Sequence, residues 1–275
     1  MATQQSSVQG SSISFTKVEH WFDSTKAGEP RMRVLHPIDI DIRPGEFVSI
    51  VGPSGCGKTT LLNMVSGLVS PGTGQVRVGG RTPEIGALNV GYLFARDSLV
   101  PWRTAAGNVS LALEFRKVPA KLRPAIMAES LAAVGLADFA DAYPSQLSHG
   151  MRQRVAIART LAPAPDTLLM DEPFSALDAQ TRLVLQEQFA QVWQHRGSTV
   201  ILVTHDLAEA ILLSDRVVIL SRRPGRVKAE FTTNLPRPRK VAELQGSKEF
   251  HDLYQEIWRV FREEVMTGEE NFVAA

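Results

Sequence analysis

The sequence has little of what marks secreted, membrane-spanning or nucleic-acid-binding proteins. It has one cysteine, Cys56, which excludes an intramolecular disulfide framework and suits a reducing compartment. Its longest apolar runs, such as Val217 to Leu220, are only as long as a strand, and a bilayer-spanning helix needs roughly 20 apolar residues. A formal net charge of +1 gives no global attraction to nucleic acid. We therefore expect a soluble chain without a signal peptide, which recognises any membrane partner through a local surface.

Length and composition indicate an ordinary globular protein. The 275 residues are 44% hydrophobic and 21% charged, which suffices for one large α/β domain with a short extension. The Ser/Gln-rich start predicts a flexible tail over residues 1–12. The main domain is expected over residues 13–225. A short C-terminal helical extension is expected over residues 226–275, after a proline-containing, linker-like stretch from Arg222 to Arg239.

Hydrophobic periodicity predicts an α/β fold with two subdomains attached to a parallel-sheet core. Alternating apolar residues predict an N-terminal antiparallel β subdomain, and a strand–helix series from Thr167 onward predicts the parallel sheet. Between about residues 95 and 162 the pattern is helical, which indicates an inserted α-helical subdomain. The predicted strands are Ile13 to Val18, Pro37 to Ile42, Phe47 to Val51, Val76 to Val78, Thr167 to Met170, Thr199 to Val203 and Val217 to Leu220. The predicted helices are Lys58 to Leu68, Val109 to Phe115, Ala125 to Val134, Arg152 to Leu161, Ala179 to His195, Leu207 to Leu213 and Lys248 to Val265.

A phosphate-binding loop lies between the predicted strand ending at Val51 and the helix starting at Lys58. The segment satisfies the pattern G-x-x-x-x-G-K-[ST] and indicates a P-loop NTPase fold of the RecA-like type. Glycines let backbone N–H groups wrap phosphates, and the helix N-terminus adds a favourable dipole. We expect Lys58 to bridge the β- and γ-phosphates and the Thr59 hydroxyl to bind Mg²⁺. The expected nucleotide-binding residues are Gly52, Pro53, Ser54, Gly55, Cys56, Gly57, Lys58, Thr59 and Thr60.

Two carboxylates follow the apolar strand that begins at Thr167. In a P-loop protein, Asp171 is placed to hold Mg²⁺ through water, and Glu172 is placed to polarise the attacking water. The alternative is a solvated acidic turn at the end of a strand. The phosphate loop favours the catalytic interpretation.

Three further segments carry a family resemblance. Leu147 to Arg154 resembles the signature of ABC transporter ATP-binding subunits, which is usually Leu-Ser-Gly-Gly-Gln before a basic helix. Ser175 to Asp178 resembles the D-loop of that family, and His205 matches its switch histidine. Together with the phosphate loop and the acidic strand, these motifs occur in the family's order from Gly52 to His205.

The resemblance implies a mechanism and partners. Two copies would pair head to tail, with ATP and Mg²⁺ caught between the phosphate loop of one and the signature of the other. Ser148 and Gly150 would contact the γ-phosphate in trans, Asp178 would lie at the dimer interface, and Glu172, His205 and Lys58 would be catalytic. Integral membrane permease subunits, and indirectly an extracytoplasmic solute-binding protein, are the implied partners, with no nucleic acid. The site of action would be peripheral, on the cytoplasmic face of the inner membrane.

The chain departs from the family pattern at two positions. His149 replaces a signature glycine; it either points away from the nucleotide or makes dimer closure sensitive to pH. Ala95 stands where a glutamine normally helps bind Mg²⁺ and signals to the permease, and Arg96, Asp97 or water could substitute in part. We expect a working ATPase whose activation by the transport partner depends less on this loop. Thiol reagents at Cys56 are expected to block ATP binding.

Other assignments leave alternatives open. Phe22 or Trp21 would stack on adenine, with Phe22 the better fit to the family. The segment Leu99 to Thr104, with Trp102, would dock a permease or pack within the helical subdomain. This segment, the basic signature helix and the short C-terminal extension are similar to ATP-binding subunits of the nitrate, sulfonate and taurine importer group. A soluble ABC ATPase without a transport role is the alternative function.

Overall fold

The computed structural model describes residues 10–23, 30–87, 89–175 and 177–266. Within these residues the chain forms nine strands and eight α-helices. The strands are β1 (Ile13–Phe22), β2 (Met32–Ile42), β3 (Phe47–Val51), β4 (Thr73–Val78), β5 (Val90–Leu93), β6 (Thr167–Asp171), β7 (Thr199–Thr204), β8 (Arg216–Leu220) and β9 (Val227–Thr232). The α-helices are α1 (Lys58–Val65), α2 (Ala105–Phe115), α3 (Arg123–Ala133), α4 (His149–Leu161), α5 (Ala179–Arg196), α6 (Leu207–Leu213), α7 (Val241–Gln245) and α8 (Lys248–Met266).

The strands form two sheets, as predicted. Strands β2, β1 and β4 make a three-stranded antiparallel sheet in that order. The second sheet has the order β5-β6-β7-β3-β8-β9, and its first five strands run parallel. Because parallel strands end at the same edge, the loops after β3, β6 and β7 meet there. The predicted α/β core and the antiparallel β subdomain are confirmed.

The parallel strands are buried on both faces, which explains their continuous apolar runs. In β3, Phe47 and Val51 pack in one core with the helical part of the chain, while Val48 and Ile50 pack in a second core against β1, β2 and α1. The same alternation continues in β6, β7 and β8. The central sheet is therefore the shared wall of two hydrophobic cores.

Helices α2, α3 and α4 follow β5 and precede β6 in the chain, and they pack against one another. This arrangement confirms the inserted helical subdomain. A buried amide side chain fixes the segment that leads into α2. The Asn108 Oδ1 accepts the Val100 N–H at 2.8 Å, and its Nδ2 donates to the carbonyls of Val100, Arg103 and Thr104. The loop carrying Trp102 is thus tied to the helix, and the Trp102 side chain stays 77% exposed.

The structure corrects the expectations for both ends of the main domain. The linker-like stretch contains β9, which pairs antiparallel with β8 and so extends the central sheet. Its apolar side chains Val227 and Phe231 pack against the two hydrophobic cores, which favours a strand at this position. Of the predicted tail, residues 1–9 lie outside the described residues, but residues 10–12 are bound: the Gly10 N–H donates to the Gly197 carbonyl, and the Ser11 carbonyl accepts from Thr199. Strand β5 and helix α7 are also absent from the sequence prediction. Among the described residues, no helix is long and apolar enough to cross a bilayer.

Replacing Asn108 by alanine is expected to lower the free energy of unfolding by about 2–4 kcal/mol, because one N–H and three carbonyls lose a buried partner. Urea unfolding at fixed pH measures the effect. Ser110→Ala on the same helix is the control: it removes only a half-buried hydroxyl bonded to Glu114, so a loss below about 1 kcal/mol is expected. Equal losses in the two variants would contradict the role given to Asn108.

Candidate functional site

The loop between β3 and α1 lies against β2. Gly57 has φ of 105°, a backbone conformation that favours glycine, and a Cβ there would lie 2.5 Å from the Leu35 side chain. Only glycine therefore lets the loop approach β2 this closely. Helix α1 begins at the next residue, so its unpaired N–H groups and its positive dipole end belong to the same loop.

The Lys58 ammonium is held on the loop by backbone carbonyls. Its Nζ donates to the Gly52 carbonyl at 2.7 Å and to the Pro53 carbonyl at 3.0 Å, and the side chain is only 7% exposed. No carboxylate forms an ion pair with it in the part of the chain that the structure describes. A buried positive charge without a counter-ion attracts an anion strongly.

Thr59 and Asp171 meet at the edge of the sheet. The Thr59 hydroxyl donates to Asp171 at 3.0 Å from Oδ2, and burial raises the pKa of this carboxyl. Among the described residues no cluster of three or more metal-binding side chains exists. One hydroxyl and one carboxylate fit Mg²⁺, which usually takes one or two protein carboxylates and completes its shell with water and phosphate.

Glu172 and His205 come together from the ends of β6 and β7. The His205 Nδ1 lies 3.3 Å from the Glu172 Oε1. The Glu172 backbone has φ of 46°, and its N–H donates to the Val203 carbonyl at 2.8 Å, which anchors the residue on β7. Two of the three side chains predicted to be catalytic, Glu172 and His205, are therefore brought into contact.

A cleft of about 310 Å³ is lined by Lys58, Thr59 and Glu172, whereas their partners Asp171 and His205 are not part of its lining. The structure places Phe22 in its lining, with the side chain 43% exposed. Trp21 instead lies against Gly72 and beneath the Arg33 guanidinium, 5.3 Å from the ring centroid. The sequence prediction missed Met32, Val34 and Arg223 in the lining; no motif marks them. The lining residues are Phe22, Met32, Val34, Ser54, Gly55, Gly57, Lys58, Thr59, Thr60, Glu172 and Arg223.

The signature residues are not part of this lining. Ser148 caps α4 by accepting the Met151 N–H at 3.2 Å, and Gly150 lies in the first turn beside Leu177 and Thr181. His149 is directed along α4, with its Nδ1 3.2 Å from the Arg152 Nη2. An N-terminus with a hydroxyl cap is thus available outside the chain's own cleft.

Asp178 caps the next helix, α5. Its carboxylate accepts the Thr181 N–H at 2.9 Å, and this hydrogen bonding lowers the pKa of the exposed Asp178 carboxyl. Asp178 is therefore an exposed anionic group at the start of α5, a few residues after Glu172 in the chain.

The segment after Ala95 is fastened to α4 rather than to the cleft. The Asp97 carboxylate pairs with Arg152 at 2.9 Å, and Arg159 donates to the carbonyls of Asp97 and Ser98 at 2.8 Å each. The suggestion that Asp97 substitutes for the missing glutamine at a metal is therefore wrong, since its carboxylate is engaged on the signature helix.

Cys56 faces the interior. Its side chain is fully buried, its Sγ packs against Gly52, and burial raises the pKa of the thiol. The expectation that thiol reagents readily block nucleotide binding is corrected accordingly: a protonated, inaccessible thiol reacts slowly.

Comparisons with known proteins agree with this geometry. Residues 35–175 match the family described as ABC transporter. The chain is 44% identical over 250 residues to the uncharacterized ABC transporter ATP-binding protein MJ0412 of Methanocaldococcus jannaschii, covering 91% of this chain and 92% of that protein. It is 44% identical over 226 residues to the nitrate import ATP-binding protein NrtC of Synechococcus elongatus, covering 81% of this chain and 34% of that longer protein.

A solved structure of the ATP-binding cassette MJ0796, dimeric in a post-hydrolysis state with ADP and Pi, aligns with a TM-score of 0.72 at 32% identity. The alignment covers 82% of this chain and all of that one. The fold and the site define a P-loop ATPase. The chain belongs to the ABC transporter family, as an ATP-binding subunit with ATPase activity.

A buried carboxyl lies on α6, the helix that follows His205 in the chain. Glu209 accepts hydrogen bonds from the Thr204 hydroxyl and from Gln186, and Asp206 caps the helix that carries it by accepting the Ala208 N–H at 2.9 Å. Burial raises the pKa of Glu209 to about 7. Its ionisation at neutral pH therefore opposes folding.

Glu209→Gln is expected to change how stability depends on pH. Between about pH 4.5 and pH 7 the unfolded wild-type chain has lost a proton that the folded chain keeps, so wild-type stability falls as the pH rises. The variant has no titratable group at this position, so it lacks this loss of stability. Its free energy of unfolding, relative to wild type, should rise by up to about 3 kcal/mol between pH 5 and pH 8, measured by urea unfolding. A difference that is constant over this range would contradict the assignment.

Proposed function

We propose that two copies of this chain hydrolyse ATP at two shared sites and energise a membrane importer for a small anion. The proposal rests on the distance between two sets of phosphate-binding groups, which lie on different parts of the chain. The cleft of each chain contains Lys58, Thr59 and Glu172, while Ser148 lies outside it at an exposed helix N-terminus. A head-to-tail dimer completes each site with the partner's signature.

The geometry supports a role for each of these residues. Lys58 and the loop amides would hold the β- and γ-phosphates, and Thr59 with Asp171 would hold Mg²⁺, which would supply positive charge beside the phosphates. Glu172 accepts a proton from the attacking water, and His205, in contact with Glu172, orients that carboxylate and contacts the γ-phosphate. Phe22 supplies an aromatic face for adenine.

ATP binding closes the dimer because the γ-phosphate is bound from both sides. In the closed state, Ser148 and the N–H groups near Gly150 would meet the partner's γ-phosphate, with Asp178 at the interface. Hydrolysis removes the shared ligand and releases the two copies. The structure of the dimeric relative MJ0796 supports this arrangement.

The groove between β5 and α2 supplies a docking surface for a permease. It has a volume of about 410 Å³ and contains two exposed aromatic side chains, Phe94 and Phe115, 42% and 72% exposed. Trp102, 77% exposed, lies on the segment that precedes α2. Exposed aromatic side chains beside a groove are typical anchors of protein interfaces.

A small anion of the nitrate, sulfonate or taurine type is the proposed solute. The support is the resemblance of the Leu99 to Thr104 segment to that importer group and the similarity to the nitrate import protein NrtC. The solute itself would be bound by the permease and a solute-binding protein. Reconstitution of all three components in proteoliposomes tests the solute class: nitrate or a sulfonate should raise ATP hydrolysis, and stimulation by a cation or sugar alone would contradict it.

Glu172→Gln is expected to separate binding from hydrolysis. It keeps the size of the side chain and removes the base, so the rate of phosphate release should fall at least about 100-fold. Calorimetric affinity for ATP should change by no more than a few fold. Glu243→Gln, which changes an exposed side chain of α7, is the matched control and should hydrolyse ATP at the parent rate. Unchanged hydrolysis in Glu172→Gln would refute the assignment.

Removing the aromatic anchors is expected to weaken permease binding without affecting hydrolysis by the isolated subunit. Phe94→Ala combined with Phe115→Ala should reduce co-purification with the permease at least about tenfold, because both side chains line the groove and apolar anchors dominate such interfaces. Phe139→Ala is the control, since this side chain is 44% exposed but lies outside the groove. If the control lost as much binding as the double variant, the groove would not be the docking surface.

A further inference from the structure

A basic side chain that belongs to no recognised motif reaches the nucleotide cleft. Arg223 lies on the turn between β8 and β9 and is part of the cleft lining. Its side chain is exposed, and among the described residues it has no ion pair and no hydrogen bond. Other arginines of the same region are engaged: Arg216 pairs with Glu46 and Glu230, and Arg237 pairs with Asp215.

The turn that carries Arg223 is fixed against the phosphate loop. The Gly225 N–H donates to the Val34 carbonyl at 2.8 Å, and the His36 N–H donates to the Gly225 carbonyl at 2.9 Å. A Cβ on Gly225 would lie 2.1 Å from the Cys56 carbonyl oxygen, so the turn is in direct contact with the loop backbone. No larger residue could occupy this position without moving the loop.

The turn is also held from its outer side. The Arg222 N–H donates to the Glu264 Oε2 at 3.1 Å, and the Lys228 ammonium lies 3.2 Å from the Glu264 Oε1. Helix α8 therefore braces the turn while β2 and the phosphate loop hold its inner side. The backbone of the turn is therefore held in place, and binding a ligand costs only the side-chain freedom of Arg223.

The strand order shows on which side of the phosphate loop Arg223 lies. Strand β8 is next to β3 on the side opposite β7 and β6, and β6 ends in Asp171 and Glu172. Arg223 thus approaches the cleft from the side of Phe22 and Val34, away from the carboxylates. Three of the other residues that line the cleft, Phe22, Met32 and Val34, carry no charge.

We propose that Arg223 is a nucleotide-binding residue, and that its guanidinium contacts the α-phosphate and ribose part that ATP and ADP share. A guanidinium binds phosphate oxygens through paired N–H donors, a geometry that lysine reproduces only in part. The inference rests on nucleotide binding by this family and does not depend on the transport proposal.

Calorimetric affinities of Arg223→Ala for ATP and ADP test the proposal. Both should weaken equally, by about tenfold, the usual scale for one charged hydrogen bond at a partly solvated site. Arg223→Lys should recover part of the loss. Raising the salt concentration should reduce the difference in nucleotide affinity between Arg223→Ala and wild type, because salt screens an ionic contact.

Arg226→Ala is the matched control, since it removes an exposed positive charge from the same turn but lies outside the cleft lining. Unchanged affinities in Arg223→Ala, or equal losses in the two variants, would overturn the proposal, and a loss for ATP alone would contradict the placement at the shared part. Lys58→Ala distinguishes an error in the Arg223 proposal from an error in the phosphate site itself. If Lys58→Ala still bound ATP tightly, the phosphate site would be refuted, independently of the result for Arg223.

Discussion

The site depends on the positive charge of Lys58, which is buried against the carbonyls of its own loop and forms no ion pair among the described residues. An ammonium in this position has exchanged water for backbone oxygens and still attracts an anion. The glycine at 57 makes the position attainable, because only a residue without Cβ lets the loop lie on β2 before α1 begins. The rest of the fold supplies the groups that act on the anion bound there.

The order of the central strands distributes these groups around the loop. Strand β3 leads into the loop, and β7 and β6 on one side bring His205, Glu172 and Asp171 to the same edge. On the other side β8 brings the turn with Arg223. The signature is excluded from the cleft because α4 belongs to the inserted helical subdomain, and its capped N-terminus serves the partner's nucleotide in the proposed dimer.

Sequence patterns predicted those elements whose conformation is determined by residues close together in the sequence. The strand run before Gly52 and the apolar run before Asp171 follow from burial on both faces, and the phosphate loop follows from its glycines and Lys58. Residues whose position depends on distant segments escaped prediction. Strand β9 looked like a linker because its pairing with β8 is tertiary, and Arg223 carries no motif because β2, the phosphate loop and α8 together place it. The inward orientation of Cys56 likewise depends on packing against Gly52.

The most direct test of the account is the molar mass of the Glu172→Gln variant in solution, measured by light scattering with Mg²⁺ and saturating ATP or ADP. In the proposed dimer the γ-phosphate joins the Lys58 side of one copy to the Ser148 side of another, so the mass should double with ATP and return to that of a single chain with ADP. A single-chain mass at saturating ATP, with binding confirmed in the same sample, would contradict the shared site.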